Sequence, residues 1–336
     1  MNAMNQSAAL KLIASLALLA LPFLVQSDFI LTMFVFTFIL GMLAVSFNLI
    51  FGYTGQLSMF HAAAFGMSAY ITHISMTELG VSFWAGVLIS AGLTLVVSTM
   101  IGAICFRYKL KEFYFAIVTL AFAEISRLIV LNWTSVTNGS LGIALSEKPM
   151  LWLPFREAIP VQGPRMWYFV SLAGVALTVL VCSRVVNSWM GRCFQAIRLN
   201  DELASTLGIN VFRYKLLSFA IGNVIAAVSG ALYAYYIGFV EPDYISIGQS
   251  LAIISMVLLG GRDSIIGPVI GAFVLTALPH IIHFSAEVRV MVYGLILIFT
   301  ILLMPGGIVG AFSRKLGLRQ HARLRVLAAR LGLKVE

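Results

Sequence analysis

Long runs of apolar residues, separated by short polar punctuation, set the pattern of this chain. Residues 29–77, 79–106, 128–146, 166–183, 216–240, 244–261, 264–286 and 290–313 contain no Asp, Glu, Lys or Arg. Most of these runs reach the roughly 20 residues that an α-helix needs to cross about 30 Å of hydrocarbon. The first is long enough for two crossings, parted by the polar, glycine-containing stretch GYTGQ at 52–56. The runs are solidly apolar and lack the period-two alternation of a barrel strand, so helices, which satisfy their own backbone in lipid, are the expected elements. The pattern predicts an all-α integral membrane protein of about ten transmembrane helices, at 8–26, 29–51, 57–77, 81–105, 113–131, 166–185, 215–237, 246–260, 264–284 and 288–305. Lys11 followed by an apolar run ending in VQS also fits a cleavable signal; we read it as an uncleaved first crossing.

Composition agrees, with 60% hydrophobic and 10% charged residues. The net charge of +9 could suggest nucleic acid, but its distribution points to a membrane surface instead. With both termini inside, 17 basic residues fall on inner segments and four (Lys148, Arg156, Arg165, Arg289) on outer ones. The outer segments hold Asp28, Glu78, Glu147, Glu157, Glu241, Asp243 and Glu287. The expected orientation therefore has both termini in the cytoplasm. Ten crossings divide into five before and five after the outer loop 132–165, which makes the second half inverted relative to the first. Similar Gly/Ser spacing at 52–58 and 260–267 gives this division some sequence support. Residues 1–312 form the membrane domain, and the basic stretch 313–336 a cytoplasmic tail suited to anionic lipid headgroups. Cys105, Cys182 and Cys193 have no metal-ligand spacing and read as small packing residues.

One segment departs from the pattern. The inner loop 186–214 carries GRCFQAIRLNDELASTLGINV at 191–211, polar and helix-patterned between two oily stretches. Ala196, Leu199, Leu203 and Leu207 recur at helical spacing and predict an inward-facing apolar stripe. Asn200 can cap a second short helix, Asp201 and Glu202 suit its first turn, and Gly208 can end it. The result is a compact cytoplasmic knob. The chain has no G-x-x-x-x-G-K-[ST] phosphate loop, so work must come from a gradient or a partner.

That knob sequence, AIRLNDELASTLGINVFRYKLLSF, resembles the cytoplasmic loop of branched-chain amino acid ABC transporter permeases of the LivM type. So do NLIFGYTGQLSMFHAAAFGMSAY at 48–70, FYFAIVTLAFAEISRLIVLNWTSVTNGSLGI at 113–143, GALYAYYIGFVEPDY at 230–244 and VLLGGRDSIIGPVIGA at 257–272. A departure is TNGSLGI, where the family often has two adjacent glycines after the threonine. The resemblance implies a permease subunit that is not itself an enzyme and binds no cofactor. ATP and Mg would be used by two partner ATP-binding subunits of the LivG/LivF type. It further implies a homologous second permease of the LivH type, a periplasmic solute-binding protein, surrounding membrane lipids and no nucleic acid. The loop would dock in a cleft of the ATP-binding subunit, with Arg198, Asn200, Asp201, Glu202, Ala204, Gly208 and Asn210 at the matching positions.

Polar groups at membrane depth are the pathway candidates, because each is expensive unless paired or wet. In GYTGQLS the glycines Gly52 and Gly55 are expected to break the helix, making Gly52, Thr54, Gly55, Gln56 and Ser58 a gating or cavity-lining element near the inner face. Thr54 and Thr119 offer uncharged hydroxyls for a zwitterion's route, and Glu124 shares a helical face with Arg127. A pair that only holds the bundle together and a pathway role are both open for Glu124. The alternative function is a gradient-driven secondary transporter using Glu124 as proton relay. An intramembrane enzyme finds no catalytic constellation, and His280 with His283 lacks a third ligand for a metal.

Overall fold

The computed structural model describes residues 16–25, 27–151, 159–282, 286–304 and 306–311. Lys11, the tail 313–336 and the side chains of His280 and His283 lie outside the described residues. A helical stretch occupies 16–24. The long helices that follow are α1 (Asp28–Thr54), α2 (Phe60–Leu79), α3 (Phe83–Arg107), α4 (Glu112–Asn132) and α5 (Gly163–Val186). Two short helices come next, α6 (Trp189–Leu199) and α7 (Asp201–Thr206), and then α8 (Val211–Ile237), α9 (Ile247–Gly260), α10 (Gly267–Ile282) and α11 (Ala286–Leu303). Every crossing expected from residue 29 onward falls on a helix. Among the described residues six segments are long and apolar enough to span a membrane: α1, α3, α4, α5, α8 and Met291–Ala311. The helices α9 and the first part of α10 are apolar but shorter.

Helices α1 and α8 form the centre. α8 packs on α1, α2 and α3, while α1 also receives α5, α9 and α10. Such closeness requires small residues, because lipid tails are as apolar as leucine and association relies on packing and interhelical hydrogen bonds. Gly230 of α8 lies so near the Phe65 carbonyl of α2 that an added Cβ would collide with it, and a Cβ on Gly222 would come within 3.0 Å of the Ser46 carbonyl on α1. The surface toward lipid is left apolar, with Leu88, Met100, Leu177, Phe299 and Leu302 exposed.

At the centre sits a closed polar network. His61 of α2 is buried, with Nδ1 3.1 Å from Asn223 Oδ1 and Nε2 2.9 Å from Ser46 Oγ. Asn223 Nδ2 donates to the Phe219 carbonyl, which fixes its Oδ1 as an acceptor and places the imidazole proton on Nδ1. Nε2 then faces the Ser46 hydroxyl, whose single proton lies within reach of both Nε2 and the Leu43 carbonyl at 2.8 Å. Each ring nitrogen has a partner, so α1, α2 and α8 are joined by a satisfied network.

The two ends of the bundle differ in character. The loop at 108–111, the knob 189–210 and the 261–266 turn gather at one end, with the terminus of α1 among them. At the other end, strand β1 (Ile143–Ala144) pairs antiparallel with β4 (Phe239–Val240), and β2 (Met150–Leu151) with β3 (Ile159–Pro160). Trp84 Nε1 donates to the Met150 carbonyl there at 2.8 Å. These two-residue strands amend an all-α expectation and tie the 132–165 loop down. Glu241, beside β4, has its carboxyl raised above the usual range by burial and then by Asp243. The Gly/Ser-spaced stretches at 52–58 and 260–267 meet at the same end, whereas inverted equivalents would lie at opposite ends; that likeness therefore gives no support to an inverted repeat.

Close approach predicts the consequence of adding one methyl group. Gly230→Ala should cost about 1–3 kcal/mol through overpacking, whereas Gly92→Ala, with open space around it, should stay within about 0.5 kcal/mol of the parent. Thermal unfolding of the detergent-solubilised protein reads the difference; equal midpoints for the two variants would contradict the packing described.

Candidate functional site: a knob joined to a helix break

The knob is built as two short helices meeting at a cap. Ser188 begins α6, its hydroxyl accepting from Met190 N–H. Asn200 then ends α6 and starts α7, its Oδ1 accepting from Leu203 N–H at 2.9 Å. Asp201 and Glu202 lie in the first turn of α7, where carboxylates complement the helix dipole. Past the end of α7, Gly208 adopts φ +83, a left-handed conformation that L side chains rarely tolerate, and Asn210 caps α8 by accepting from Arg213 N–H at 3.0 Å. The Asn200 cap and the terminating glycine sit where the residue pattern places them; the caps at Ser188 and Asn210 add to that pattern.

The expected apolar stripe does not face inward. Leu199, Leu203 and Leu207 are 86%, 60% and 73% exposed, and the anchoring is done by Cys193, Phe194, Ile197 and Ala204, all nearly fully buried. The cap at Asn200 breaks the helix, so a stripe drawn through both pieces at one helical period has no single face. The knob consequently presents leucines to the outside. Lys215, 7% exposed at its side chain, pairs with Asp201 and ties α7 to α8. Beside this pair a cavity of about 640 Å³ opens between the knob and the α3–α4 turn, with Lys109, Lys111, Asn200, Glu202 and Phe212 in its wall.

Inward, the knob reaches the end of α1 through Phe194, which packs with Leu49 and Tyr53, and through the polar side chain of Arg198. Arg198 Nη1 donates to the Gly52 carbonyl at 2.6 Å and to Asp263 Oδ1 at 2.8 Å. The last turn of a helix leaves carbonyls without intrahelical donors, and Arg198 supplies one. Gly55, at φ +75, ends α1, and a Cβ there would lie 3.4 Å from Arg198 Cγ. Gly52 does not break the helix, contrary to expectation; α1 continues through Thr54. Gly52 instead permits close approach of the 261–266 turn, since a Cβ would come within 2.6 Å of the Arg262 carbonyl. Asn48 Nδ2 donates to the Ser264 carbonyl at 3.0 Å, a second tie between the same two segments.

Beyond Gly55 the chain leaves helical geometry until Phe60, and its polar groups are met from other helices. Met59 N–H donates to Thr119 Oγ1 at 3.0 Å, and Ser250 Oγ donates to the Met59 carbonyl at 3.3 Å. Thr54 and Thr119 are fully buried and their hydroxyls bond backbone carbonyls, so in this conformation they brace the break and line no open route. Gln56 Oε1, Ser58 Oγ and Asn48 Oδ1 are buried without a partner, as are Tyr70 Oη, Thr72 Oγ1 and Thr94 Oγ1 elsewhere. Glu124 lies elsewhere, on α4, paired with Arg127.

The structure thus brings together Arg198, Gly52 and Gly55, places Thr54, Gln56, Ser58 and Thr119 behind them, and leaves Glu202, Gly208 and Asn210 on the knob's outer side. Sequence reasoning passed over Lys215, Asp263, Asn48 and His61. Asp263 carried a signal, being an acid within an inner segment otherwise basic; Lys215 reads as one more inner basic residue, and Asn48 and His61 lay inside apolar runs, so these three are recognised only by their partners.

A family model described as branched-chain amino acid transport system / permease component matches residues 29–301. The high-affinity branched-chain amino acid transport system permease protein LivM of Escherichia coli (strain K12) is 27% identical over 304 residues, covering 85% of this chain and 71% of that protein. The LivH permease protein of the same organism is 28% identical over 295 residues, 80% of this chain and 91% of that protein. The autoinducer 2 import system permease protein LsrC of Photorhabdus laumondii is 29% identical over 157 residues, 42% of this chain and 46% of its own. No solved structure matches the chain. With helices along the matched residues and six segments able to span a membrane, the chain belongs to the branched-chain amino acid transport permease family.

Proposed function

We propose that this chain is the membrane-spanning permease subunit of an ATP-driven importer for branched-chain amino acids or related small solutes. It would work beside a second homologous permease, two ATP-binding subunits that use ATP and Mg, and a periplasmic solute-binding protein. Ten crossings in two inverted halves of five, with both termini in the cytoplasm of a bacterial inner membrane, put the knob and the basic loops on the cytoplasmic side. In that orientation the ribbon-tied 132–165 loop faces the periplasm and the 313–336 tail lies along the inner leaflet.

The observation that carries this reading is Arg198. A knob with exposed leucines is tied by that side chain to the last turn of α1, so displacement of the knob would pull on the break at 55–59. ATP-dependent movement of the partner subunits would enter here and alternate access between the two faces, acting through its different contact energy with the two permease states. Pairing also speaks against the secondary-transport alternative: the Glu124 carboxylate is engaged through both oxygens by Arg127, which is a poor arrangement for a proton relay.

Two outcomes test the assignment. Leu207→Asp alters an exposed side chain and should leave the chain folded while weakening association with the ATP-binding subunits about tenfold or more, the worth of one buried leucine. Co-purification from membranes measures it, and full retention of the partners would remove the knob as their docking surface. Arg198→Ala should keep the partners bound but sever the link to α1. ATP hydrolysis in proteoliposomes should then proceed with little substrate uptake, and unchanged uptake per ATP would refute the coupling route.

A further inference from the structure

Glu124 and Arg127 form an ion pair that the bundle does not use. Both residues are on α4, so their hydrogen bonds stay within that helix, while Asp243 on the turn packed against α4 acts on Arg127 through space. By contrast, the His61 network links three helices and is fully enclosed. At about 1.5 Å per residue, Glu124 stands about 18 Å from the start of α4 and about 12 Å from its end, well inside the hydrocarbon layer. Its side chain is nevertheless 38% exposed and that of Arg127 29%. Charges at such depth face water or protein, since lipid contact costs several kcal/mol.

The geometry leaves room for a ligand. Glu124 accepts from Arg127 Nε through both oxygens at 3.0 Å and from Nη2 at 2.5 Å. Nη1, with two N–H donors, takes no part in the pair. Glu124 retains acceptor capacity, because each carboxylate oxygen has two lone pairs. Around the pair, Ile117, Ala121 and Leu128 stand at spacings of seven, three and four residues from Glu124, on one face of α4, and all are exposed. Thr119, which braces the chain break, is on the opposite face. One face of α4 therefore offers an anionic group, a cationic donor and an aliphatic floor.

We propose that this face lines a water-filled translocation cavity and that Glu124 and Arg127 read the two charges of a zwitterionic amino acid. The ammonium lies against the Glu124 carboxylate, the α-carboxylate takes the Nη1 donors of Arg127, and an aliphatic side chain rests on Ile117, Ala121 and Leu128. The assignment rests on the importer reading, and it makes this pair the element that distinguishes an amino acid from a solute carrying one charge.

The test uses the complete importer in proteoliposomes. Cys105, Cys182 and Cys193 are buried, so Ala121→Cys supplies the one accessible thiol of this chain, and labelling is read on its band after the subunits are separated. A charged, membrane-impermeant thiol reagent should label it, and leucine should slow labelling about tenfold, the worth of hydrogen bonds to charged groups. Isocaproate, which lacks the amino group, and isoamylamine, which lacks the carboxylate, should give no such protection. Adding Glu124→Gln should abolish protection by leucine. Absence of labelling, or equal protection by all three compounds, would overturn the proposal. A charge swap, Glu124→Arg with Arg127→Glu, separates reading from bracing. The swap should assemble with the other subunits and remain defective in leucine uptake; restored uptake, or failure of the swap and of Glu124→Gln to assemble, would show a structural pair instead. Loss of ATP-dependent uptake by the unaltered complex would count against the importer reading, while thiol protection by leucine alone would still stand for this site.

Discussion

Backbone that leaves helical geometry in or near a bilayer must find its hydrogen bonds within the protein, and this constraint organises the molecule around the end of α1. The carbonyls of the last turn cannot be met by α1 itself. Gly52 takes Arg198 from the knob, Ile50 takes the Gln56 N–H and the Thr54 hydroxyl, and Phe51 takes the Gly55 N–H. Downstream, Met59 is satisfied by α4 on one side and α9 on the other. A single interruption in one helix therefore recruits the knob and two further helices. The Asp263 end of the Arg198 bridge is 67% exposed and contributes little by itself; the bond to the buried carbonyl is what fixes the guanidinium.

The same economy of contact explains the centre. α1 and α8 can lie close to their neighbours because glycines face carbonyls at Gly222 and Gly230, and because the polar side chains between them close on one another. Serine and threonine hydroxyls along these helices bond carbonyls three or four residues back, as with Thr37, Ser68 and Ser229, and so can be buried without a partner on another helix. The unsatisfied oxygens are exceptions: Asn48, Gln56 and Ser58 at and beyond the end of α1, and Tyr70, Thr72 and Thr94 on α2 and α3.

Much of this architecture was legible because it depends on local chemistry. Length and apolarity set the crossings, an amide side chain at Asn200 or Asn210 caps whatever helix follows it, and Gly208 allows a left-handed stop wherever it occurs. Facing was not legible in the knob. Leu199, Leu203 and Leu207 obey helical spacing, but the spacing holds only if the helix is continuous, and Asn200 interrupts it. Gly52 likewise reads as a helix breaker from composition, although its role is fixed by the Arg262 carbonyl more than two hundred residues away. Long-range partners decide such positions, and a single sequence contains no record of them.

The three ion pairs among the described residues divide by what they connect. Lys215–Asp201 joins α8 to α7, and Arg198–Asp263 joins α6 to the turn beside α9, so the knob is fixed to the central helices at several points. Glu124–Arg127 joins α4 only to itself, and the main contacts of α4 are with α2 and the turn Pro242–Ile245. The knob is therefore tied into α1 and α8, while α4 is held to those helices chiefly through α2 and the Thr119 bond to Met59. The segment at 55–59 is thus where the knob-bearing end of α1 meets α4, through the bond from Met59 N–H to Thr119.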